Sequence, residues 1–278
     1  MNFLKHLFKN DKNDKDIHHD VNEEEKARRP GIQLDESARI MYEKIMKESL
    51  ATHLPAIAVN SNPLIIGVGG SRKNIFSALR DNGNVHCRLM YIGGYIQDSF
   101  GDIEYFIPEK WPGSYWRKSF PEGFEDDLKN FIKAEVDHSH INQIFVVSGL
   151  GKRGTGSRLT KTVIQLIKEL NLPCICIISL PFFFQGNEAV STSLRKFSEI
   201  REVSARTLCF PLHEIANING EYTLLDAFKI ADLWMVKAID NIINGSESQT
   251  IGKILSMVTQ VYKSTIVPDN SETKFYWL

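Results

Sequence analysis

No apolar run in this 278-residue chain approaches the roughly 18 consecutive residues that would cross a bilayer as a helix. The opening "MNFLKHLFKND" has neither a long apolar stretch nor a small-residue cleavage site, so a secretory signal is not expected. Charge of one sign is also lacking. Thirty-three Lys and Arg stand against 34 Asp and Glu, a net charge of −1. That excludes a global positive field for nucleic acid and an acidic excess of the disordered kind. Cysteine is scarce, with only Cys87, Cys174, Cys176 and Cys209. Cys174 and Cys176 alternate along an apolar run, which aims them at one face of a strand. No second ligand pair is spaced to join them, so they read as core cysteines, no metal site is assigned, and a reducing cytoplasm is expected. No internal repeat is visible.

What is present changes along the chain. Residues 1–30 are polar after Phe8, with both charge signs alternating through "KNDKNDKDIHHDVNEEEKARRP". Such a stretch buries too little apolar area to offset its ordering entropy and is expected to be a flexible tether. Its first residues are the exception, because Phe3, Leu4, Leu7 and Phe8 share a helical face beside Lys5 and Lys9. They suggest a weak peripheral membrane contact through residues 1–9. Residues 31–62 form a helical extension, in which Ala38, Met41, Tyr42, Ile45 and Met46 recur at helical spacing and Asp35 is placed to cap.

From 63 to 245, apolar strands alternate with helices. "LIIGV", "VHCRLMYI", "QIFVV", "CICIISL" and "RTLCF" are the strand candidates. Between them come "NIFSALRD", "FEDDLKNFIKAEV", "RLTKTVIQLIKEL" and "AVSTSLRKFSEI", and then the long apolar helix "TLLDAFKIADLWMVKAIDNII". Near-continuous apolar strands mean burial on both faces. The expected fold is a doubly wound α/β domain, a mostly parallel sheet with helices on both faces and its ligands at the carboxyl ends of the strands. Residues 246–278 are expected to add one helix and a tail.

Two glycine turns fall at strand ends, "IIGVGGSRKN" and "SGLGKRGTGSR". Glycine lets a backbone approach a phosphate with no Cβ in the way, and the following helix offers free amides and a favourable dipole. A nucleotide ligand is therefore expected. The second turn lacks the GxxxxGK[ST] pattern of the Walker loop. The second strand, "RLMYIGGYIQD", lacks the terminal acid that a dinucleotide ribose requires, which weakens a dinucleotide oxidoreductase reading.

These residues resemble the FtsZ/tubulin superfamily of GTP-binding proteins. "IGVGGSRKN" is similar to the first FtsZ loop and "RGTGSR" to the tubulin signature GGTGSG. "LPFFFQG" is similar to the FtsZ stretch KPFxFEG, and "LLDAFKIAD" to the start of the long central helix. The four occur in family order across roughly two thirds of the chain. The resemblance implies that Gly67, Gly69, Gly70 and Ser71 line the first phosphate loop. Gly149 and Gly151 would shape the entry to the main phosphate turn, Gly154, Thr155, Gly156 and Ser157. It implies a ribose contact at Gln185 and guanine contacts at Asn74, Phe228 and Asp232. An ionised Asp232 suits guanine, because a carboxylate only accepts while guanine N1–H and N2–H donate.

The departures are specific. Lys152, Arg153 and Arg158 stand where the signature has glycine, and they either supplement the amides as charged donors or crowd a decayed cradle. Leu212 replaces an Asn that follows "IP" in the family. Glu247 is the only acid between Gly245 and Val267, where the family carries a catalytic acidic loop and then a second domain. No catalytic residue is assigned. The segment "WPGSYWRKSF" is a candidate lid or partner surface. The resemblance thus implies a cytoplasmic protein that binds GTP or GDP, with Mg²⁺ as a companion ion. It would be a cytoskeletal-type assembly factor, peripheral at the membrane, with slow or partner-dependent GTP hydrolysis. The alternative is a pseudo-GTPase scaffold that binds partners without turnover.

Overall fold

Among the described residues, the five apolar runs and one short edge segment form six strands whose neighbours all pair parallel, in the order β3-β2-β1-β4-β5-β6. They are β1 (Pro63–Val68), β2 (Arg88–Gly93), β3 (Ile103–Phe106), β4 (Gln143–Gly149), β5 (Cys174–Leu180) and β6 (Thr207–Pro211). The computed structural model describes residues 34–57, 61–70, 72–81, 85–94, 101–107, 122–152, 154–204, 206–218, 222–245 and 249–265. The expected tether and membrane-facing start, the segment 111–120, Ser71, Arg153 and Glu247 lie outside the described residues.

Side chains alternate across the sheet and feed two cores. Ile65, Phe145, Ile177 and Phe210 point to one face; Leu64, Ile66, Val146 and Ile178 point to the other. The first face is covered by α2 (Arg72–Asp81), α7 (Leu224–Ile243) and α8 (Ile251–Thr265). The second is covered by α3 (Phe124–His138), α4 (Thr155–Glu169) and α5 (Asn187–Val203). Burial on both faces explains why the central strands read as unbroken apolar runs. The edge strand β3 is short and only partly buried, so its sequence carries no such signal.

The extension is α1 (Glu36–Ala51), capped by Asp35, whose carboxylate accepts the Ala38 N–H at 2.8 Å. The helix packs along β6 and against α5 and α8. Its inner face presents Ala38, Tyr42 and Ile45, and its outer face is pinned by Arg201 to Glu48 at 3.1 Å. On the opposite layer, Thr223 and Asp226 form a capping box that starts α7. Trp234, fully buried in the middle of α7, donates its indole N–H to Ile251 O at 2.9 Å and so fixes α8. A short helix, α6 (His213–Ala216), follows β6. Among the described residues no helix is long and apolar enough to cross a membrane.

Candidate functional site

The strand order reverses between β1 and β4, so the crevice beyond their carboxyl ends is the topological switch point. Both glycine turns lie there. Gly69 follows β1 with φ +85°, a left-handed conformation that favours glycine, and its N–H donates to Ile92 O at 3.0 Å. A Cβ on Gly69 would sit 2.8 Å from the backbone nitrogen of Gly156, so the two turns are in contact. Gly156 is equally constrained, because its Cβ would meet Gly149 O at 2.5 Å and Ser148 Oγ at 2.6 Å. Gly70, Gly151 and Gly154 face open space. Gly154 is the N-cap of α4 and offers no side-chain acceptor to the first-turn N–H groups of that helix.

Not every expected phosphate residue is placed alike. Gly67 lies inside β1, paired with Tyr91 on one side and Val147 on the other, and leaves the turn itself to Gly69 and Gly70. The Ser157 hydroxyl closes the second turn on itself, accepting the Gly151 N–H and facing Gly151 O, each at 2.8 Å. Thr155 is half-buried at the start of α4. Lys152 is ion-paired with Glu188 in the first turn of α5. Arg158 is half-buried on α4, and burial lowers its pKa from the ordinary arginine value.

Beneath the turns sits a hydroxyl pair that sequence inspection passed over. Ser148 and Thr160 are both buried, with Thr160 Oγ1 2.8 Å from Ser148 Oγ and 2.6 Å from Gly156 O. Their only advance signal is a serine at the penultimate position of β4 and a threonine on the buried side of α4.

Over the first face of the sheet, α2 and α7 bring Asn74 and Asp232 together across 158 residues of sequence, with Asn74 Nδ2 donating to Asp232 Oδ2 at 3.0 Å. Burial pushes the Asp232 carboxyl up to about 7, and the Asn74 bond works against that rise. Phe228, one helical turn earlier on α7, is half-buried and meets Phe182 edge-on at 5.3 Å. Phe182 in turn stacks on the exposed Phe184 at 5.0 Å. Gln185 is exposed beside it on a single 3₁₀ turn, Phe183–Gln185. Leu212 is buried at the head of α6, turned into the core beneath α7.

Strand order alone does not separate nucleotide folds, since the same order serves dinucleotide domains. Here the carboxyl end of β2 is closed by Tyr91, whose hydroxyl donates to Gly94 O at 2.6 Å, and a Cβ on Gly93 would collide with that ring. Solved structures decide the fold. The empty FtsZ dimer of M. jannaschii matches with a TM-score of 0.56 at 19% identity, covering 76% of this chain and 59% of its own. The chain has the FtsZ/tubulin-like fold. A CetZ from Methanosaeta thermophila matches this FtsZ/tubulin-like chain with a TM-score of 0.54 at 18% identity, covering 72% and 59%. Among curated proteins, the cell division protein FtsZ of Aquifex aeolicus is 26% identical over 185 residues, 64% of this chain and 50% of its own. The FtsZ of Rickettsia typhi is 28% identical over 107 residues, 38% and 23%. The matched region is thus half the length of these relatives or less. No family model matches the chain.

Proposed function

We propose that this chain binds guanine nucleotide in the crevice beyond β1 and β4. The observation that carries the reading is the meeting of Asn74 and Asp232 at 3.0 Å, one helical turn from Phe228 on α7, with Asn74 on the helix that follows the Gly69–Gly70 turn and the two glycine turns in contact. An amide and a carboxylate side by side supply the donor and acceptors that a guanine edge needs, and Phe228 offers a ring to its face. The Gly69–Gly70 and Gly151–Ser157 turns lie where phosphates would approach backbone amides at a helix N-terminus. Gln185 is the ribose candidate. Ser71 and Arg153 extend the phosphate set from outside the described residues, with Gly67 as its support inside β1.

Hydrolysis of the terminal phosphate requires an oriented water and stabilisation of the developing charge. Lys152 and Arg158 border the turn that would supply charge stabilisation. With Glu247 the only acid between Gly245 and Val267, turnover is slow unless a partner or a second copy contributes the missing group. Among the described residues no three His, Cys, Asp or Glu side chains gather to hold a metal, so no step is assigned to Mg²⁺, which would arrive with the nucleotide phosphates. The wider reading is a cytoplasmic, self-associating cytoskeletal-type factor whose residues 1–9 touch the membrane surface.

The pseudo-GTPase scaffold stays open because Lys152 is held by Glu188 and Ser157 is turned onto Gly151. Both arrangements withdraw side-chain donors from the crevice. The test is the nucleotide content of the purified full chain, followed by titration with GTP, GDP and ATP. Bound GDP or GTP, with ATP binding more weakly, supports the nucleotide reading. Equal binding of GTP and ATP overturns the guanine assignment, and binding of neither leaves the scaffold.

A further inference from the structure

Ser148 and Thr160 are 1% and 0% exposed, and a buried hydroxyl needs a partner. Theirs are unusual in joining three segments. Thr160 is on α4, Ser148 is on β4, and Ser148 Oγ lies 3.4 Å from Val68 O at the end of β1. Val68 and Ser148 are register partners in the sheet, so the pair sits at the last rung before both turns. Two hydroxyl protons serve three contacts: Thr160 to Ser148, Thr160 to Gly156 O, and Ser148 to Val68 O. The helix is tied to the strands when one of these protons lies between the two oxygens: with Thr160 donating to Ser148, the Ser148 proton is left to reach Val68 O, and α4 is held to the ends of both β4 and β1. Directly above, Gly156 has no room for a Cβ against Ser148 Oγ, and Gly69 has none against Gly156. The hydroxyl pair is therefore the floor on which the amino end of α4 rests.

We propose that Ser148 and Thr160 are positioning residues for the phosphate end of the site. They set the height and rotation of the first turn of α4 against β1 and β4, so that the amides from Gly154 to Ser157 and the turn at Gly69–Gly70 share one orientation. The inference rests on the nucleotide reading above. An apolar pair of the same shape would pack as well but would leave the helix free to slide along its axis. A shift of about 1 Å takes amide–phosphate hydrogen bonds out of their favourable distance and angle, so it lowers affinity.

The test uses the full chain with Thr160→Val, which keeps the shape and removes the hydroxyl, and Thr160→Ser, which restores it. GTP, GDP and ATP affinities are measured together with urea unfolding. The expected result is a folded Thr160→Val protein whose GTP and GDP affinities both fall about tenfold while its GTP-to-ATP preference stays as in the parent. Thr160→Ser should recover most of the loss. Unchanged GTP affinity in Thr160→Val overturns positioning while leaving nucleotide binding intact. So does a loss of affinity that collapses the GTP-to-ATP preference as well, since that reports general loosening. A parent protein that binds no nucleotide overturns both inferences. If Thr160→Val does not fold, Ser148→Ala asks the same question from the strand side, with the same expected and overturning results.

Discussion

The replacement of Asp232 by Asn should stabilise the protein without nucleotide while weakening its hold on guanine. Asp232 ionises near pH 7 in the folded chain against 3.8 ordinarily, chiefly because burial penalises its charge. Between those two values the native state keeps a proton that the unfolded chain has released. Stability therefore falls as pH rises through that window, and the cost is complete above about pH 7. At about 1.4 kcal/mol per pH unit, the ceiling is about 4 kcal/mol. The carboxylate is only half-buried and keeps some contact with water, so about 1–2 kcal/mol is the expected magnitude. An amide at 232 has no charge to bury and can still bond Asn74. Urea unfolding at pH 5 and pH 8, without nucleotide, measures the difference. Asp232→Asn should gain on the parent as pH rises, with the larger advantage at pH 8. GTP affinity of the parent should show the opposite trend, weakening below pH 7 as the acceptor carboxylate is protonated, while ATP affinity should change little. An advantage of equal size at both pH values, or a less stable variant at pH 8, would refute the argument from burial.

The glycines of the second turn should separate packing from binding. Gly156→Ala should cost about 3 kcal/mol in urea unfolding, because its Cβ meets backbone and a fixed hydroxyl at 2.5–2.6 Å. Gly154→Ala, with extended backbone and open space around it, should stay within about 0.5 kcal/mol and lose GTP affinity only. Trp234→Phe removes the bond to Ile251 O and should cost about 1–2 kcal/mol, read by the same unfolding. Single-turnover GTP hydrolysis should be slow and flat with protein concentration; a rate per molecule that climbs steeply would show that one copy supplies another's missing acid. Deleting residues 1–9 should abolish flotation with liposomes containing anionic lipid, and unchanged flotation would remove the membrane contact.

The architecture was legible because burial on both faces leaves a simple trace. β1, β4 and β5 lack the regular polar alternation that a one-sided sheet would show, with only Gln143 and Ser148 in β4 and Ser179 in β5 among their apolar residues, and α7 carries its own start signal in Thr223 and Asp226. β3 was not legible, since a four-residue edge strand with partly exposed side chains has neither length nor pattern. The start of β2 was read too early, at Val85 rather than Arg88, because apolar composition does not say where the ladder begins. The placing of Arg201 against Glu48 and of Asn187 against Asp35 was also invisible, because pairing across more than 150 residues leaves no local trace.

The candidate site shows a sharper division. The glycine turns themselves were readable, and the fold holds Gly69 and Gly156 by steric facts that no other residue satisfies. The partners of several side chains were not, because a side chain's partner depends on what the fold places opposite it. Lys152 looks from the sequence like a cation offered to a phosphate, yet α5 sets Glu188 against it. That pair is exposed, with side chains 41% and 67% accessible, and surface pairs of this kind contribute at most about 1 kcal/mol. A bound phosphate could outbid it, because a doubly charged group at the helix N-terminus adds the amides and dipole to the attraction. The Lys152–Glu188 pair therefore fits a resting state of a working site as readily as a decayed one. Glu188→Gln distinguishes them. Freed of its partner, Lys152 should tighten GTP binding if the turn is a phosphate cradle. If the cations only fill a dead site, the same change should leave GTP affinity where it was.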